Sequence, residues 1–227
     1  MSYFLLSNLP QVFSISRILQ MNMLHTIIYD LGGVLIDWNP LYVFENYFDK
    51  KEDLHFFFAN ICTSEWNEEQ DGGRTIEEAN RLLIAQYPDW EKPIRDYYGR
   101  WTEMIKGSVQ DSVDLLANVK SSGYYKLYAL TNWSAETFPL AKQRFEFLSW
   151  FDGILVSGEE KTRKPFDDFY LKLINQYAID RESTVFIDDN LRNIEAARKL
   201  GIPSIHFTDA ISLRSELVKI DSRLSAI

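Results

Sequence analysis

The stretch TIIYDLGGVL, at positions 26 to 35, raises the question of why a carboxylate should follow an apolar strand. A short strand-like run leads directly into Asp30, and Gly32 and Gly33 follow closely. Placing a carboxylate beside a hydrophobic core costs free energy unless a partner compensates it. The glycines give a backbone that can approach a ligand closely, although a plain tight turn would use them too. The stretch therefore predicts a buried strand that ends in a functional carboxylate.

Four further apolar runs, each bounded by turn or helix signals, predict short buried strands. These runs are YKLYALT (125–131), GILVS (153–157), TVFID (184–188) and SIHF (204–207). Helical patterns lie between them at residues 135–145, 165–177 and 191–200. Gly201 and Pro203 follow the last of these in the manner of a helix C-terminus. Strands that alternate with helices predict an α/β fold, a doubly wound parallel sheet with helices on both faces.

Between the first and second strands of this sheet lies a long segment that breaks the alternation. It contains amphipathic helical runs with no strand between them. The runs are YVFENYF (42–48), DLHFFFANIC (53–62), TIEEANRLLIAQY (75–87) and PIRDYYGRWTEMI (93–105). Thr75 and Glu78 have the spacing of a capping box at the start of the third run. The segment is therefore predicted to be a helical insert at the edge of the sheet, where inserts cover sites.

Three domain assignments follow. Residues 38–108 are predicted to form a four-helix cap domain, residues 23–37 and 109–227 the core domain, and residues 1–22 an N-terminal extension. The extension contains Arg17 and no run of about 18 uncharged apolar residues, so a membrane span is not expected. It also lacks the early positive charge and the cleavage pattern of a signal peptide.

Composition narrows the class of protein further. The 227 residues are 46% hydrophobic and 25% charged, which is typical of a soluble globular chain. The formal net charge of -9 makes nucleic-acid binding unexpected, because such a surface repels a phosphate backbone. Cys62 is the only cysteine, so no intrachain disulfide forms and a reducing cytoplasm is the predicted location. A monomer and a homodimer both remain open.

Polar side chains stand where the predicted strands end. Asp30 follows the first strand, Thr131 and Asn132 end the second, and Asp188 and Asp189 end the fourth. The carboxyl ends of parallel strands meet at one edge of a sheet, so these groups are expected to converge. Three carboxylates there would repel one another and raise one another's pKa unless a cation lay among them. Oxygen ligands without histidine or cysteine favour a hard cation, and Mg²⁺ is the common one.

An anionic substrate follows from this arrangement. Lys164, in the loop after the third strand, adds positive charge, while Thr131 and Asn132 offer hydrogen-bond donors. Ser134 is predicted to cap the next helix, whose N-terminus would favour the same anion. A phosphate group suits every part of this predicted site.

In their order and spacing, these motifs resemble those of the haloacid dehalogenase-like hydrolases, from about residue 24 to residue 207. Asp30 in YDLGGVL resembles the nucleophile that forms a phospho-aspartyl intermediate. Thr131 in ALTNWS resembles the hydroxyl that holds the phosphoryl group, with Asn132 beside it. Lys164 in RKPFDDFY resembles the lysine that neutralises nucleophile and phosphate. The resemblance also implies a Rossmann-like core and identifies the helical insert as a cap of the first type.

The resemblance further implies the metal ligands. Asp188 and Asp189 in VFIDDN look like the fourth motif, in which the second carboxylate binds Mg²⁺ directly and the first acts through water. Asp30 and the backbone carbonyl of Gly32 complete the implied set. The Asp-Leu-Gly opening is similar to that of the branch that includes sugar 1-phosphate phosphatases and the N-terminal domains of epoxide hydrolases.

One position departs from the pattern of most phosphatases in this family. They carry a second aspartate two residues after the nucleophile, as a general acid and base, whereas this chain has Gly32. Such help is typically worth about 100-fold to 10,000-fold in rate, or roughly 3 to 5 kcal/mol. A leaving group that departs readily, such as the anomeric oxygen of a sugar 1-phosphate, would need it less. Otherwise Asp37, a cap residue or a substrate hydroxyl would have to move the proton.

Each of these residues also has an ordinary structural explanation. Asp30 alone could form a turn or cap a helix. Asp188 and Asp189 could simply favour the start of a helix at Leu191. Lys164 lies in a charge-dense stretch that could be a solvated loop. Their occurrence together, in this order, favours an active site.

The cap carries many aromatic residues, which suit either a substrate cage or a small aromatic core. Their helical spacing favours packing within the cap. These residues include Phe56, Phe57, Phe58, Trp66, Trp90, Tyr97 and Trp101. The loop at residues 71–74, with sequence DGGR, is the part of the cap that could face the substrate.

The sequence and the resemblance together predict a Mg²⁺-dependent phosphatase that acts on a small phosphorylated metabolite, with a sugar phosphate favoured. One alternative is a haloacid dehalogenase, in which Asp30 attacks carbon and no acid is needed. Gly32 is compatible with that reaction, but the paired carboxylates are not, because dehalogenation needs no metal. The other alternative is a phosphate-binding regulatory protein that has lost turnover, and retention of the nucleophile argues against it.

Overall fold

Five strands form one parallel sheet in the computed structural model, which describes residues 23–226. A separate pair of strands forms an antiparallel ribbon. In chain order the strands are β1 (Thr26–Tyr29), β2 (Ile36–Trp38), β3 (Ile105–Ser108), β4 (Lys126–Thr131), β5 (Gly153–Val156), β6 (Thr184–Asp188) and β7 (Ser204–His206). The order across the sheet is β5-β4-β1-β6-β7, and β2 pairs with β3 in the ribbon.

Helices cover the sheet and fill the insert between β2 and β3. The α-helices are α1 (Leu41–Phe44), α2 (Lys51–Phe56), α3 (Ser64–Asp71), α4 (Ile76–Gln86), α5 (Glu91–Gly99), α6 (Gln110–Ser122), α7 (Phe138–Arg144), α8 (Ser157–Glu160), α9 (Asp167–Gln176), α10 (Leu191–Lys199) and α11 (Ala210–Ile220). A π-helical turn covers Phe57–Ile61, and 3₁₀ turns cover Pro88–Trp90, Trp101–Met104, Glu146–Trp150, Arg181–Ser183 and Ser222–Ala226.

The first strand is the centre of the sheet. It pairs in parallel with β4 on one side and β6 on the other, so Tyr29 lies opposite both Ala129 and Ile187. All four residues of β1 are buried, as expected for a strand with neighbours on both edges and helices on both faces. The predicted doubly wound parallel sheet is therefore confirmed, and its strands lie within a residue or two of their predicted bounds.

The core has two apolar layers, one on each face of the sheet. Alternate residues of β1 pack into opposite layers. Ile27 and Tyr29 pack into one layer, and Ile28 packs into the other with Phe186 and Tyr170. Successive side chains of a strand point to opposite faces, which is why an unbroken apolar run suits this position. Burying each such side chain contributes roughly 1.5–3 kcal/mol. These layers fix the strand ends on which the site stands.

The insert differs from its prediction in two ways. Five α-helices, α1 to α5, lie there instead of four, because the polar stretch at 64–71 also forms a helix, α3. This helix lacks an apolar stripe, and it begins where Thr63 Oγ1 accepts a hydrogen bond from the Trp66 amide. The ribbon of β2 and β3 was not predicted either, because its strands are only three and four residues long. The domain boundaries at 38 and 108 coincide with the ends of these two strands and stay predictions.

Two predicted helix starts have different outcomes. Thr75 Oγ1 accepts a hydrogen bond from the Glu78 amide at 3.2 Å, so the predicted cap of α4 is confirmed. Ser134 was predicted to cap the helix after β4, and this is wrong. Its Oγ accepts from the Glu136 amide in a turn, and α7 begins only after Thr137. The helices α6 and α11 were also not identified from the sequence.

Within residues 23–226, no helix has the length and apolar character needed to cross a bilayer. The prediction of an extension at residues 1–22 lies outside the described residues.

Candidate active site

Three carboxylates converge at the carboxyl edge of the sheet. Asp30 follows β1 directly, Asp188 is the last residue of β6, and Asp189 comes next. Because β1 and β6 are parallel neighbours, their ends bring one oxygen of each carboxylate within 4.8 Å of the others. Asp30 and Asp188 are buried, and Asp189 is the exposed member of the cluster. The sheet thus assembles the set of carboxylates that strand ends alone had predicted.

Lys164 joins this cluster from the loop between α8 and α9. Its side chain is fully buried, and its Nζ lies 2.8 Å from Asp30 Oδ2 and 2.7 Å from Asp188 Oδ2. Asn132 fixes the loop, because its Oδ1 accepts from the Lys164 amide at 2.8 Å and its Nδ2 donates to the Lys164 carbonyl at 2.9 Å. Both ends of the Asn132 side chain are therefore engaged in holding Lys164. The Asn132 side-chain amide is therefore not free to donate to a phosphate, and the contact of Asn132 with phosphate stays a prediction.

The side chains of this cluster carry more negative than positive charge. Burial raises the pKa of Asp30 well above its ordinary value, and the nearby Asp188 and Asp189 carboxylates add to this, whereas Lys164 opposes it. Burial alone lowers the pKa of Lys164, but Asp188 and Asp30 outweigh it and leave that pKa above its ordinary value. One ammonium faces three carboxylates in this group of side chains. A divalent cation would balance the remaining charge.

The residues present fit a hard metal ion. The converging ligand atoms are all carboxylate oxygens, which is the donor set that Mg²⁺ prefers. Gly33 has φ +72°, and a Cβ built there would lie 2.1 Å from Asp189 Oδ2. Only glycine allows the Asp189 carboxylate to lie so close to this turn. Asp30, Asp188 and Asp189 would hold the ion, and the predicted contribution of the Gly32 carbonyl stays a prediction.

Thr131 presents an unpaired hydroxyl at the same edge. It is the last residue of β4 and fully buried, and its Oγ1 has no hydrogen-bond partner among the described residues. Leaving a buried polar group without a partner costs about 1–3 kcal/mol. The predicted contact with a phosphoryl oxygen would satisfy this group.

A cavity lies between this edge and the insert. It encloses about 80 Å³, and both parts of the chain contribute to its wall. The lining residues are Gly32, Trp38, Asn67, Asp71, Tyr98, Trp101, Asn132, Trp133, Ser134 and Thr137. Indole Nε1 of Trp38, indole Nε1 of Trp133 and Oγ1 of Thr137 are buried and have no hydrogen-bond partner among the described residues. The residues of the cavity wall are therefore a mixture of aromatic and polar side chains, and three of them also carry a buried polar atom without a partner.

Most cap aromatics pack against one another, as the sequence favoured. Phe57 lies 4.9 Å from Phe44 between ring centroids, and Trp66 lies 5.3 Å from Tyr97. Trp101 is an exception, because it packs against Trp133 of the core at 5.4 Å and also lines the cavity. The cap therefore has an aromatic core of its own and offers only part of its aromatic surface to the site.

Ionic and polar contacts fasten the insert over the core. Glu68 of α3 accepts from Arg163 at 2.9 Å and also pairs with Arg192 of α10. Glu136 Oε1 accepts from the Ile76 amide at the start of α4 at 2.7 Å. We call the set Glu68, Arg163 and Arg192 the cap latch. It was not identified from the sequence, because its members are separated by up to 124 positions and form no local pattern.

Two candidates for proton transfer or substrate contact, Asp37 and Arg74, do not line the cavity. Asp37 accepts from the Tyr42 hydroxyl at 2.8 Å in an exposed contact and does not line the cavity. Arg74 donates to Gln70 Oε1 at 2.7 Å and to the Trp66 carbonyl at 3.1 Å, so it braces the end of α3.

Comparison with known proteins agrees with this geometry. The model of the haloacid dehalogenase-like hydrolase family matches residues 27–207. The sesquiterpene phosphatase astK of Aspergillus oryzae is 28% identical over 190 residues, which cover 84% of this chain and 93% of that protein. A phosphorylated carbohydrates phosphatase of Thermotoga maritima is 24% identical over 194 residues, which cover 81% of this chain and 84% of that protein.

A solved structure shows the same fold. It is a family enzyme of Bacteroides thetaiotaomicron in complex with magnesium and inorganic phosphate, with a TM-score of 0.63 and 23% identity, covering 82% of this chain and 95% of that one. The resemblance that rested on four sequence motifs is confirmed by the match over most of the chain. This chain is a member of the haloacid dehalogenase-like hydrolase family.

Proposed function

We propose that the protein is a Mg²⁺-dependent phosphatase that hydrolyses a small phosphomonoester, with Asp30 as the nucleophile. The observation that carries the proposal is the group of three carboxylates within 4.8 Å beside one buried ammonium. A divalent cation would balance the charge of this group and would in turn attract a phosphate. Relatives named as phosphatases cover most of this chain and support the same activity.

In this proposal each side chain has a defined task. Lys164 Nζ and Thr131 Oγ1 donate hydrogen bonds to phosphoryl oxygens and hold the phosphorus in line with Asp30. Asp30 then attacks the phosphorus, the bond to the leaving oxygen breaks, and a phospho-aspartyl group forms. Water attacks that phosphorus and releases inorganic phosphate with the Asp30 carboxylate restored. Bound Mg²⁺ would supply positive charge against the developing negative charge of the transferring phosphoryl group.

Asp188 has a supporting task in the same scheme. Its Oδ2 holds Lys164, while its Oδ1 accepts from the Asn190 amide at 2.8 Å and from Asn193 Nδ2 at 3.0 Å. These contacts leave little freedom for the carboxylate. Asp189, which is exposed and lies against Gly33, has the greater freedom to bind the ion directly.

The cavity wall favours a sugar phosphate as the substrate class. The aromatic faces of Trp38, Trp101 and Trp133 suit a ring or an apolar skeleton. The polar residues of the same wall, among them Asn67, Ser134 and Thr137, suit a leaving group that carries several oxygens. A prenyl phosphate is the second candidate, since the aromatic faces alone would suit it and one relative is named as a sesquiterpene phosphatase.

The small volume of the cavity favours a cap that moves to admit the substrate. The cavity of about 80 Å³ is well below the roughly 300–1,000 Å³ of ordinary small-molecule sites. We propose that residues 38–108 act as a cap that opens to admit the substrate and closes to exclude water. The cap latch is the contact that would hold the closed arrangement.

We also propose that the protein acts in the cytoplasm as a monomer or homodimer, on a soluble metabolite and not on nucleic acid. The net charge of -9 disfavours a polyanionic partner, and the single cysteine, Cys62, is buried and unpaired.

Phosphate release from a panel of substrates tests the proposed function. The panel contains sugar 1-phosphates, sugar 6-phosphates, farnesyl phosphate and 4-nitrophenyl phosphate, each with Mg²⁺ and with EDTA. We expect release only with Mg²⁺, and a loss of at least about 10,000-fold in Asp30→Asn, since it removes the nucleophile. Asp37→Asn is the control, because Asp37 lies outside the cavity. Full activity in EDTA, or turnover that survives Asp30→Asn, would refute the proposal.

A further inference from the structure

The position that most phosphatases of this family use for proton transfer carries no side chain in this protein. A Cβ built on Gly32 would meet nothing within 4 Å, so no neighbour fills the place either. Asp37, the nearby carboxylate in sequence, is held by Tyr42 in an exposed contact. A leaving alkoxide still needs a proton, and a cap residue in the wall of the cavity is a candidate source.

Asp71 is the one carboxylate among the residues that line the cavity, within the part of the chain that the structure describes. It is the last residue of α3 and is half-buried, and it shares the wall with Gly32 and Asn132. The cap therefore brings a carboxyl group to the cavity that the core leaves without one.

A chain of hydrogen bonds holds this side chain in place. Asn67 Nδ2 donates to Asp71 Oδ2 at 3.2 Å, and the Tyr98 hydroxyl donates to Asn67 Oδ1 at 2.9 Å. Asn67 and Tyr98 also line the cavity, so the supporting contacts belong to the same wall. A group that is fixed by neighbours loses less entropy when it meets a substrate, which suits a proton donor.

The surroundings of Asp71 suit a group that both donates and accepts a proton near neutrality. Burial raises the pKa of Asp71 to about 7, with Glu68 adding to the shift and the positive charges of Arg163 and Lys164 opposing it. Tyr98, the other titratable group of the wall, has a pKa well above its ordinary value because of its burial. It therefore stays protonated. A general acid works best when its pKa lies near the working pH.

We propose that Asp71 is the general acid and base of the reaction, a carboxyl group supplied by the cap in place of the one missing at Gly32. The proposal rests on the proposed phosphatase function. When Asp30 attacks phosphorus and the bond to the leaving oxygen breaks, the Asp71 carboxylic acid gives its proton to that oxygen, which leaves as an alcohol. The Asp71 carboxylate then takes a proton from the water that attacks the phospho-aspartyl group, and phosphate is released with both side chains restored.

Two substrates of nearly equal shape test this assignment. The phenolate of 4-nitrophenyl phosphate leaves without a proton, whereas the alkoxide of 4-nitrobenzyl phosphate needs one. We expect Asp71→Asn to lower kcat/KM for 4-nitrobenzyl phosphate by about 100-fold to 10,000-fold, and that for 4-nitrophenyl phosphate by less than about 10-fold. The ratio of the two values does not depend on the folded fraction, so partial unfolding of the variant cannot imitate the result. Glu69→Gln, an exposed change on the same helix, is the matched control.

A rescue variant and a pH profile sharpen the test. The open space at Gly32 accommodates a side chain. Adding Gly32→Asp to Asp71→Asn should therefore raise kcat/KM for 4-nitrobenzyl phosphate by at least about 10-fold over Asp71→Asn alone. In the wild type, kcat/KM for this substrate should fall as the pH rises above about 7, because the acid form of Asp71 is lost. This decline should be absent in Asp71→Asn.

The outcomes separate the two proposals. An equal loss for both substrates, or no loss for either, would overturn the role of Asp71 while leaving the phosphatase in place. A wild-type protein that releases no phosphate with Mg²⁺ from these two substrates, nor from any sugar phosphate or farnesyl phosphate of the panel, would overturn the proposed function, and the role of Asp71 with it.

Discussion

The edge of the sheet and the inner face of the cap contribute to one cavity, but they hold their functional groups in different ways. At the sheet edge, Lys164 and Asp188 are fully buried and their contact measures 2.7 Å. On the cap, Asp71 is only half-buried, and its contact with Asn67 measures 3.2 Å. Strand ends within a sheet cannot move apart without breaking the ladder, whereas a helix end in an insert moves with that insert.

This difference suggests a division of labour. In the proposed reaction, the rigid edge would carry the charges that hold the metal and the phosphate, whose relative positions must stay constant. The cap would carry the groups that contact the leaving group and admit or exclude water. Energies follow the same division, because breaking a buried ion pair costs about 3–5 kcal/mol and breaking an exposed one costs about 0–1 kcal/mol. Four predictions test the contrast between the two regions.

The largest effect is expected at the sheet edge, for Lys164→Met. Removing the ammonium leaves Asp30 and Asp188 buried without their partner, so the free energy of unfolding should fall by about 3–5 kcal/mol. Phosphatase activity should fall by at least about 100-fold. Urea unfolding measures the first effect, and added Mg²⁺ should recover part of the stability because it also neutralises the carboxylates. Lys126→Met, which breaks an exposed pair with Asp152, is the control and should cost less than about 1 kcal/mol.

A smaller effect is expected for Gly33→Ala. The new Cβ would lie 2.1 Å from Asp189 Oδ2 at a φ of +72°, so the carboxylate must shift away from its position. We expect the dissociation constant for Mg²⁺ to rise by about 10-fold to 100-fold, measured by calorimetric titration. Gly32→Ala is a matched control one residue away, because its Cβ meets nothing within 4 Å. Equal Mg²⁺ affinity in the two variants would contradict the assignment of Asp189 as a ligand.

The cap latch should have a modest effect. Glu68→Gln weakens the contacts with Arg163 and Arg192, which we expect to raise KM by roughly fivefold, equivalent to about 1 kcal/mol. Steady-state kinetics with 4-nitrophenyl phosphate isolate this effect, since that substrate needs no proton. Glu91→Gln, which breaks a pair with Arg95 inside the cap, should leave KM unchanged. If the two variants behave alike, the latch does not hold the cap closed.

The smallest effect concerns stability and pH. Asp71 keeps its proton up to about pH 7 in the folded protein, whereas its ordinary value is 3.8, so folding stability should decrease as the pH rises between these values. Asp71→Asn removes this decrease. The melting temperature of the variant should therefore exceed that of the wild type at pH 8, by roughly 2–4 °C for each kcal/mol of added stability. This difference in melting temperature should shrink at pH 5. A difference that does not change with pH would contradict the raised pKa.

Much of the sheet edge was predictable from the sequence. Asp30 stands at the end of one short strand-like run and the pair Asp188 and Asp189 at the end of another, and parallel strands bring their carboxyl ends together in any such sheet. Lys164 was predictable only through its place in the order of motifs, since its own stretch has the composition of a surface loop.

Other features could not be predicted, for identifiable reasons. The contact of the Asn132 amide with the Lys164 backbone, 32 positions away, was not predicted, and the expected contact of Asn132 with phosphate stays a prediction. The helix α3 was missed because it has no apolar stripe. The position of Asp71, its last residue, depends on that helix. For Asn132 the deciding contact is between residues far apart in the chain.

The parallel sheet and the residues that end its strands were predictable from the sequence alone, because an apolar run followed by a carboxylate is a local pattern that the geometry of parallel strands converts into a site. Which cap residues line the cavity depends instead on tertiary packing. The orientation of a helix in an insert depends on packing and ion pairs with the core, such as Glu68 with Arg163, and these carry no local signal in the sequence. The charges of the site were therefore foreseeable, whereas the sequence indicated only that the loop at 71–74 could face the substrate, without identifying Asp71 as its residue in the cavity wall.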